Sequence, residues 1–273
     1  MEPNATTTRP GMTPAGATAP FADLYQDDHS VQPVITPIGN EMGWYREWVR
    51  LHLSPVYYGT GVPHGNGEPV VVVPGFLGTD LSMMELFWWL GRIGYEPYYS
   101  GLGLNVDCPD ASADLVRGVV QRAATETGQR VHLIGHSLGA LIARSVAFEH
   151  PENVDLLISL AAPFNEVAYV HPALIEAMAA VRRQAGSHLT WNVAPACYSG
   201  HCTCRFTANI MRPQRPTFRR RALYAERDGL VRPESCIEDE PELNVGIATS
   251  HYGMIYSSEA YRTVAELLAE ANG

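Results

Sequence analysis

The chain has 273 residues, 46% of them apolar, and a formal net charge of -10. That length suits one hydrophobic core, and the acidic balance disfavours nucleic acid and anionic membrane surfaces, both of which demand a basic face. No stretch approaches the roughly 20 apolar residues that span a bilayer. Residues 1–37 are rich in Thr, Pro, Ala and Gly without periodicity and read as a flexible arm, leaving 38–273 as the folded domain. The opening MEPNATTTRPGMTPAGATAP has no basic segment leading into an apolar one, so it does not read as a secretory leader and a cytoplasmic setting is expected.

In chain order, Met42, Trp44, Tyr45, Trp48, Val49, Leu51 and Leu53 form an amphipathic pattern, read as an edge helix whose aromatics enter the core. Pro69 to Val73 is a β-branched run closed by Pro74-Gly75, the pattern of a central parallel strand. Thr79 or Asp80 can cap a following helix that reaches about Ile93. Met83, Met84, Trp88 and Trp89 on it are read as core, with an apolar ligand wall as the other reading. Tyr95 to Tyr99 reads as a strand and Ser112 to Glu126 as a helix.

The most informative stretch is Arg130 to Arg144, RVHLIGHSLGALIAR. A short apolar run ending at Ile134 has the character of a buried strand, and apolar positions from Ala140 to Phe148 recur near helical spacing. Gly135-His136-Ser137-Leu138-Gly139 therefore sits at a strand-to-helix turn, where G-x-S-x-G exposes a serine hydroxyl at the sheet edge. The glycines relieve crowding two residues either side of a strained backbone. The helix start also brings the Leu138 N-H and the positive end of the helix dipole to the place where negative charge would develop on a carbonyl oxygen.

Downstream, Asn153 to Ala161 reads as another buried strand, after which the βα rhythm breaks between about Phe164 and Phe218. A helix is expected there from Pro172 to Arg183, and the whole insertion is read as a cap over the C-terminal edge of the sheet. Arg221 to Ala225 and Leu243 to Ile247 read as the last strands, and Ser258 to Ala271 as the final helix. Asp228 follows the first of these strands and His251 the second, in the order Ser, Asp, His that a serine nucleophile on such a sheet requires. Glu226 is the alternative acid. His132, His150, His171, His188 and His201 are read as packing or surface residues.

The Gly135 to Gly139 motif, Val70 to Phe76 before it, and Asp228-Gly229-Leu230-Val231 and Ser250-His251-Tyr252-Gly253 after it resemble bacterial lipases and esterases of the α/β-hydrolase fold. The resemblance runs from about Val70 to the C-terminus, by motif order and spacing. It implies a mostly parallel sheet flanked by helices with an inserted cap, and an acyl-enzyme on Ser137, with His251 as base and Asp228 as its orienting acid. It places the second oxyanion donor at the N-H of Phe76, beside that of Leu138, although this chain carries Pro74-Gly75 where many relatives have His-Gly. Leu77 and His136 are expected to face the substrate.

The expected activity is hydrolysis of short- to medium-chain acyl esters, glycerides and polyesters included, with no cofactor, no metal and a small or lipid-like ester as partner. The same residues would serve a thioesterase, lactonase, amidase or acyltransferase, and a non-catalytic ligand receptor could share the fold. Five cysteines leave three readings open for Cys197, Cys202 and Cys204. They are a disulfide, with Cys108 or Cys236 as partner; a zinc site completed by His201 or Cys236; or reduced thiols.

Overall fold

A computed structural model describes residues 32–33, 35–165, 169–185, 204–210 and 216–272. Its strands and helices are β1 (Gln32–Pro33), α1 (Trp44–Leu53), β2 (Pro69–Val73), α2 (Met84–Arg92), β3 (Glu96–Tyr99), α3 (Pro109–Thr127), β4 (Val131–His136) and α4 (Leu138–Glu149), then β5 (Val154–Leu160), β6 (Tyr169–Val170), α5 (Pro172–Ala185), α6 (Arg205–Ile210), β7 (Arg219–Ala225), β8 (Asn244–Ile247) and α7 (Ser258–Asn272). A six-stranded sheet runs in the order β3-β2-β4-β5-β7-β8, parallel at every pairing. A short parallel pair joins β1 to β6. This is the α/β-hydrolase architecture expected from the motif order.

Burial of both faces explains the continuous apolar runs. All five residues of β2 and all six of β4 are buried. Because side chains alternate, Val70, Val72, Ile134 and Ile158 pack with α2 and α7, while Val71, Val73, Leu133 and Leu157 pack with α3 and α4. The sheet is the middle of three layers. Parallel strands all end on one edge, so the turns after β2, β4, β7 and β8 gather there.

α1 departs from expectation. Leu51 enters the core, whereas Trp44, Tyr45 and Trp48 remain 43%, 50% and 39% exposed. An edge helix needs only a narrow stripe to dock, so its remaining aromatics pair sideways, Trp48 with His52 and Trp44 with Tyr256. Asp80 also departs: a 3-10 turn, Asp80–Met83, opens the helix without a side-chain cap. Its carboxylate instead accepts the N-H groups of Ser100 and Gly101, at 3.1 and 3.0 Å, tying the turn to the far end of β3.

Part of the insertion expected to form a cap lies outside the described residues. The part described includes α5, which sets Ile175 and Ala179 against Leu230 and Val231, and Val181 against Phe76. The helix thus leans over the edge of the sheet where β4 ends. Of the N-terminal segment, Gln32–Pro33 pairs with Tyr169–Val170, and Thr36 Oγ1 donates to the Gly229 carbonyl at 2.6 Å.

A buried ion network holds the nucleophile helix to the chain after β7. Glu238 receives Arg144 from α4 at 2.5 Å and Arg220 from β7 at 2.8 Å, and Arg144 stacks on the Phe164 ring. Glu238→Ala would leave the buried Arg144 guanidinium without its carboxylate, while Arg220 keeps Glu240 at 2.8 Å, so a loss of about 3–5 kcal/mol in unfolding free energy is expected, carried by Arg144. Urea denaturation measures it; a midpoint equal to wild type would show the network to be dispensable.

Candidate active site

The turn between β4 and α4 holds Ser137 at φ 51° and ψ -125°, a conformation few side chains adopt. Surrounding contacts impose it. The Ser137 N-H donates to the Leu160 carbonyl at 2.8 Å, anchoring the turn to β5. A Cβ at Gly139 would stand 2.4 Å from the carbonyl oxygens of both Val73 and Pro74, and one at Gly135 2.4 Å from Ala140 Cα. Only glycine permits that approach. Leu138 begins α4, so its N-H has no acceptor one turn back within the helix.

The turns after β7 and β8 bring Asp228 and His251 together. Asp228 Oδ2 accepts from His251 Nδ1 at 2.7 Å, while Oδ1 accepts the N-H groups of Leu230 and Val231 at 2.8 and 2.9 Å. Both residues are buried. Burial opposes charge on His251, but the charge and hydrogen bond of Asp228, with a contribution from Glu41, outweigh it and raise its proton affinity. Glu226 is not the carboxylate that meets the imidazole.

Ser137 and His251 line one pocket of about 300 Å3 with Trp44, Leu174, Leu230, Ile255 and Tyr256 as its apolar walls. No hydrogen bond joins the Ser137 hydroxyl to His251 Nε2 among the described residues, a contact that apo sites often close only with substrate. Phe76, Leu77 and His136 line the pocket as well. The four residues of the α2 region do not: Met83 and Trp89 are core, whereas Met84 and Trp88 are 40% and 59% exposed. The wall comes from α1, α5 and the chain after His251 instead.

His136 has a structural duty. Its Nε2 meets the His251 carbonyl at 3.0 Å, and since a carbonyl only accepts, the proton must sit on Nε2. Burial, then the neighbouring imidazole, pushes its pKa down to about 3, so it stays neutral in that tautomer. An NMR titration of the imidazoles checks this assignment. His136 should remain neutral through the range in which a free imidazole protonates, while His251 titrates above it.

Two residues that sequence reasoning missed hold the loops in place. Asn105 donates from its side chain to the Pro74 carbonyl at 2.8 Å, and its backbone bonds Leu77 and Gly78, so it shapes the loop after β2. Leu77 sits there at φ 59°. Glu41, buried in a 3-10 turn (Ile38–Gly43), accepts the N-H groups of Gly229, His251 and Tyr252 at 2.8, 3.0 and 2.8 Å. Neither carries a local motif. Both bond backbone groups far away in sequence, which spacing cannot reveal.

Cys236 is a buried thiol in no disulfide, with Sγ 3.7 Å from the Arg232 carbonyl. Burial, followed by the charge of Asp228, raises its pKa well above the usual thiol value. Cys197, Cys202 and His201 lie outside the described residues. Among the described residues no group of three or more His, Cys, Asp or Glu side chains could hold a metal ion, and no helix is long and apolar enough to cross a membrane.

The fold is shared with solved structures at low identity. The mature form of the lipase BlEst2 from Bacillus licheniformis is 15% identical with a TM-score of 0.53, covering 76% of this chain and 94% of that one. A structure of the metagenome-derived lipolytic enzymes LipS and LipT is 17% identical with a TM-score of 0.53, covering 77% of this chain and 95% of that one. Lipase B of Aspergillus fumigatus is 14% identical with a TM-score of 0.51, covering 78% of this chain and 54% of that one. No curated protein matches the chain significantly. Residues 69–209 match the family described as serine aminopeptidase, S33, a span that includes Ser137 but neither Asp228 nor His251. By that match the chain belongs to the serine aminopeptidase S33 family of α/β-hydrolases.

Proposed function

We propose that the protein is a serine hydrolase of carboxylic esters, working through an acyl-enzyme on Ser137. The observation that carries this reading is the buried Asp228–His251 pair, 2.7 Å apart, opening on the same apolar pocket as a serine held at a strand-to-helix turn. With Nδ1 committed to Asp228, Nε2 is the nitrogen that takes the Ser137 proton as Oγ attacks the ester carbonyl. The N-H groups of Leu138 and Phe76 receive the oxyanion. The tetrahedral adduct collapses as His251 returns the proton to the leaving alcohol, and water then cleaves the acyl-serine by the same route.

The pocket supports a narrower reading of the substrate. Its volume of about 300 Å3 lies at the small end of the roughly 300–1,000 Å3 typical of ligand sites, which favours short- to medium-chain acyl groups. The family's description names a peptidase, and an aminopeptidase must pair a charged α-amine. The described lining offers apolar and aromatic groups but no carboxylate free for that task, since Asp228 is engaged behind His251. Neutral esters fit it better.

Hydrolysis of p-nitrophenyl esters from acetate to palmitate, read as kcat/KM against chain length, tests the proposal. A maximum at short to medium chains is expected, and Ser137→Ala should lower kcat by a factor on the order of 10⁴ or more while the fold persists. Asp228→Asn should cost about 10⁴ in kcat by presenting the wrong imidazole tautomer. Undiminished turnover in a folded Ser137→Ala protein would overturn the assignment. Because His251 must be neutral to act as base and its proton affinity is raised, kcat/KM should fall on acidification through a pH above that of a free imidazole.

A further inference from the structure

Glu41 lies outside the matched family span and outside every motif of the chain, yet it touches both loops that carry the candidate acid and base. We propose that Glu41 is a positioning residue, which ties the Asp228 loop to the His251 loop and sets a fixed negative charge beside the histidine. The inference rests on the hydrolase reading for its kinetic consequences, although its geometry stands apart from it.

A buried carboxylate is costly unless its oxygens are hydrogen-bonded, and a cation is the usual partner. Glu41 is 7% exposed and forms no salt bridge among the described residues; backbone amides alone satisfy it. Its partners lie 188, 210 and 211 residues away along the chain. One oxygen bridges Gly229, next to the acid, and His251 itself, so a shift of either loop breaks a bond to that atom. Gly229 is built for the contact, since a Cβ there would fall 2.8 Å from Glu41 Oε1. The neighbouring chain reinforces it, with Thr36 bonded to the Gly229 carbonyl and Asn40 to the Arg227 carbonyl at 3.0 Å.

The uncompensated charge has a chemical consequence. The titratable groups around His251 are Asp228 after β7, Glu41 from the 3-10 turn, His136 at the end of β4 and Tyr252 beside it. Arg227 directs its guanidinium to the Ala248 carbonyl, and the Cys236 thiol stands near Asp228. Of these, Asp228 and Glu41 are the groups that favour the protonated imidazole, and Glu41 acts likewise on the Tyr252 phenol. Glu41 therefore stabilises the imidazolium formed when His251 accepts a proton, as well as the position of its ring.

Glu41→Gln and Glu41→Asp separate charge from reach. Each variant is measured for ester turnover against pH and for the His251 titration by NMR, which needs no turnover. Glutamine keeps one acceptor oxygen and loses the charge, so the His251 titration and the acid limb of kcat/KM should both move down by roughly half a unit to one unit, less than the 1–3 units of a charge in direct contact. Aspartate keeps the charge but falls short by one methylene, so its titration should stay near wild type while kcat drops about tenfold with KM little changed. Coincident titrations for wild type and both variants would overturn the proposal, as would wild-type kcat in both. If the wild-type protein turned over no ester, the hydrolase reading would fail, and the NMR titration would still decide the role of Glu41.

Discussion

The close approach of the turn at Ser137 to the end of β2 is the constraint on which the site depends. Gly139 lies so near the Val73 and Pro74 carbonyls that no side chain fits between them, and the serine backbone is held at positive φ by its bonds to β5 and α4. Strain of this kind costs on the order of 1–3 kcal/mol and persists only where the surroundings over-determine it. Here the surroundings are the core itself: β4 is buried along its whole length, and α4 is buried on nearly every face. The turn at Ser137 is held in place because it joins the buried middle of the sheet to a buried helix.

Loops at the same edge are held in addition by carboxylates, two of them buried and Asp80 half-buried. Asp80 gathers the amides of Ser100 and Gly101, Asp228 those of Leu230 and Val231, and Glu41 those of Gly229, His251 and Tyr252. An ionised acceptor makes stronger hydrogen bonds to N-H groups than a neutral one, so each carboxylate pins the backbone of the loop it gathers. Two of the three also lie near His251 and favour its protonated form. The same groups that fix the loops thus shape the electrostatics of the pocket. Where the protein pairs carboxylate with guanidinium in its interior, at Glu238 with Arg144 and Arg220, the pair joins a helix to a strand rather than serving the pocket.

The six strands of the main parallel sheet and the placement of Ser137, Asp228 and His251 at strand exits were legible in the chain, because each rests on a local pattern, whereas the short β1–β6 pair and α6 were not. Apolar runs such as Pro69 to Val73 report burial on both faces, G-x-S-x-G reports a crowded turn, and residues at strand exits share one edge by topology. Amphipathic spacing determined that α1 is a helix, but not how deeply it docks, so Trp44 and Trp48 proved to be half-exposed. Periodicity records which face is apolar and is silent on how much of that face a partner covers.

Tertiary structure alone decided what holds the candidate residues. Nothing near Glu41 or Asn105 in the chain marks them, since each acts on backbone amides and carbonyls that every residue possesses. His136 reads as a neighbour of the serine, yet the fold makes it a neutral donor to the His251 carbonyl. It likewise assigned the pocket walls to α1, α5 and the chain after His251 rather than to the Met and Trp residues around α2. The sequence by itself marked Ser137, Asp228 and His251 as the candidate residues, because such chemistry requires particular side chains at particular spacings. Their support was left to the fold, because a hydrogen bond to a distant backbone depends on where two segments meet and not on which residues lie between them.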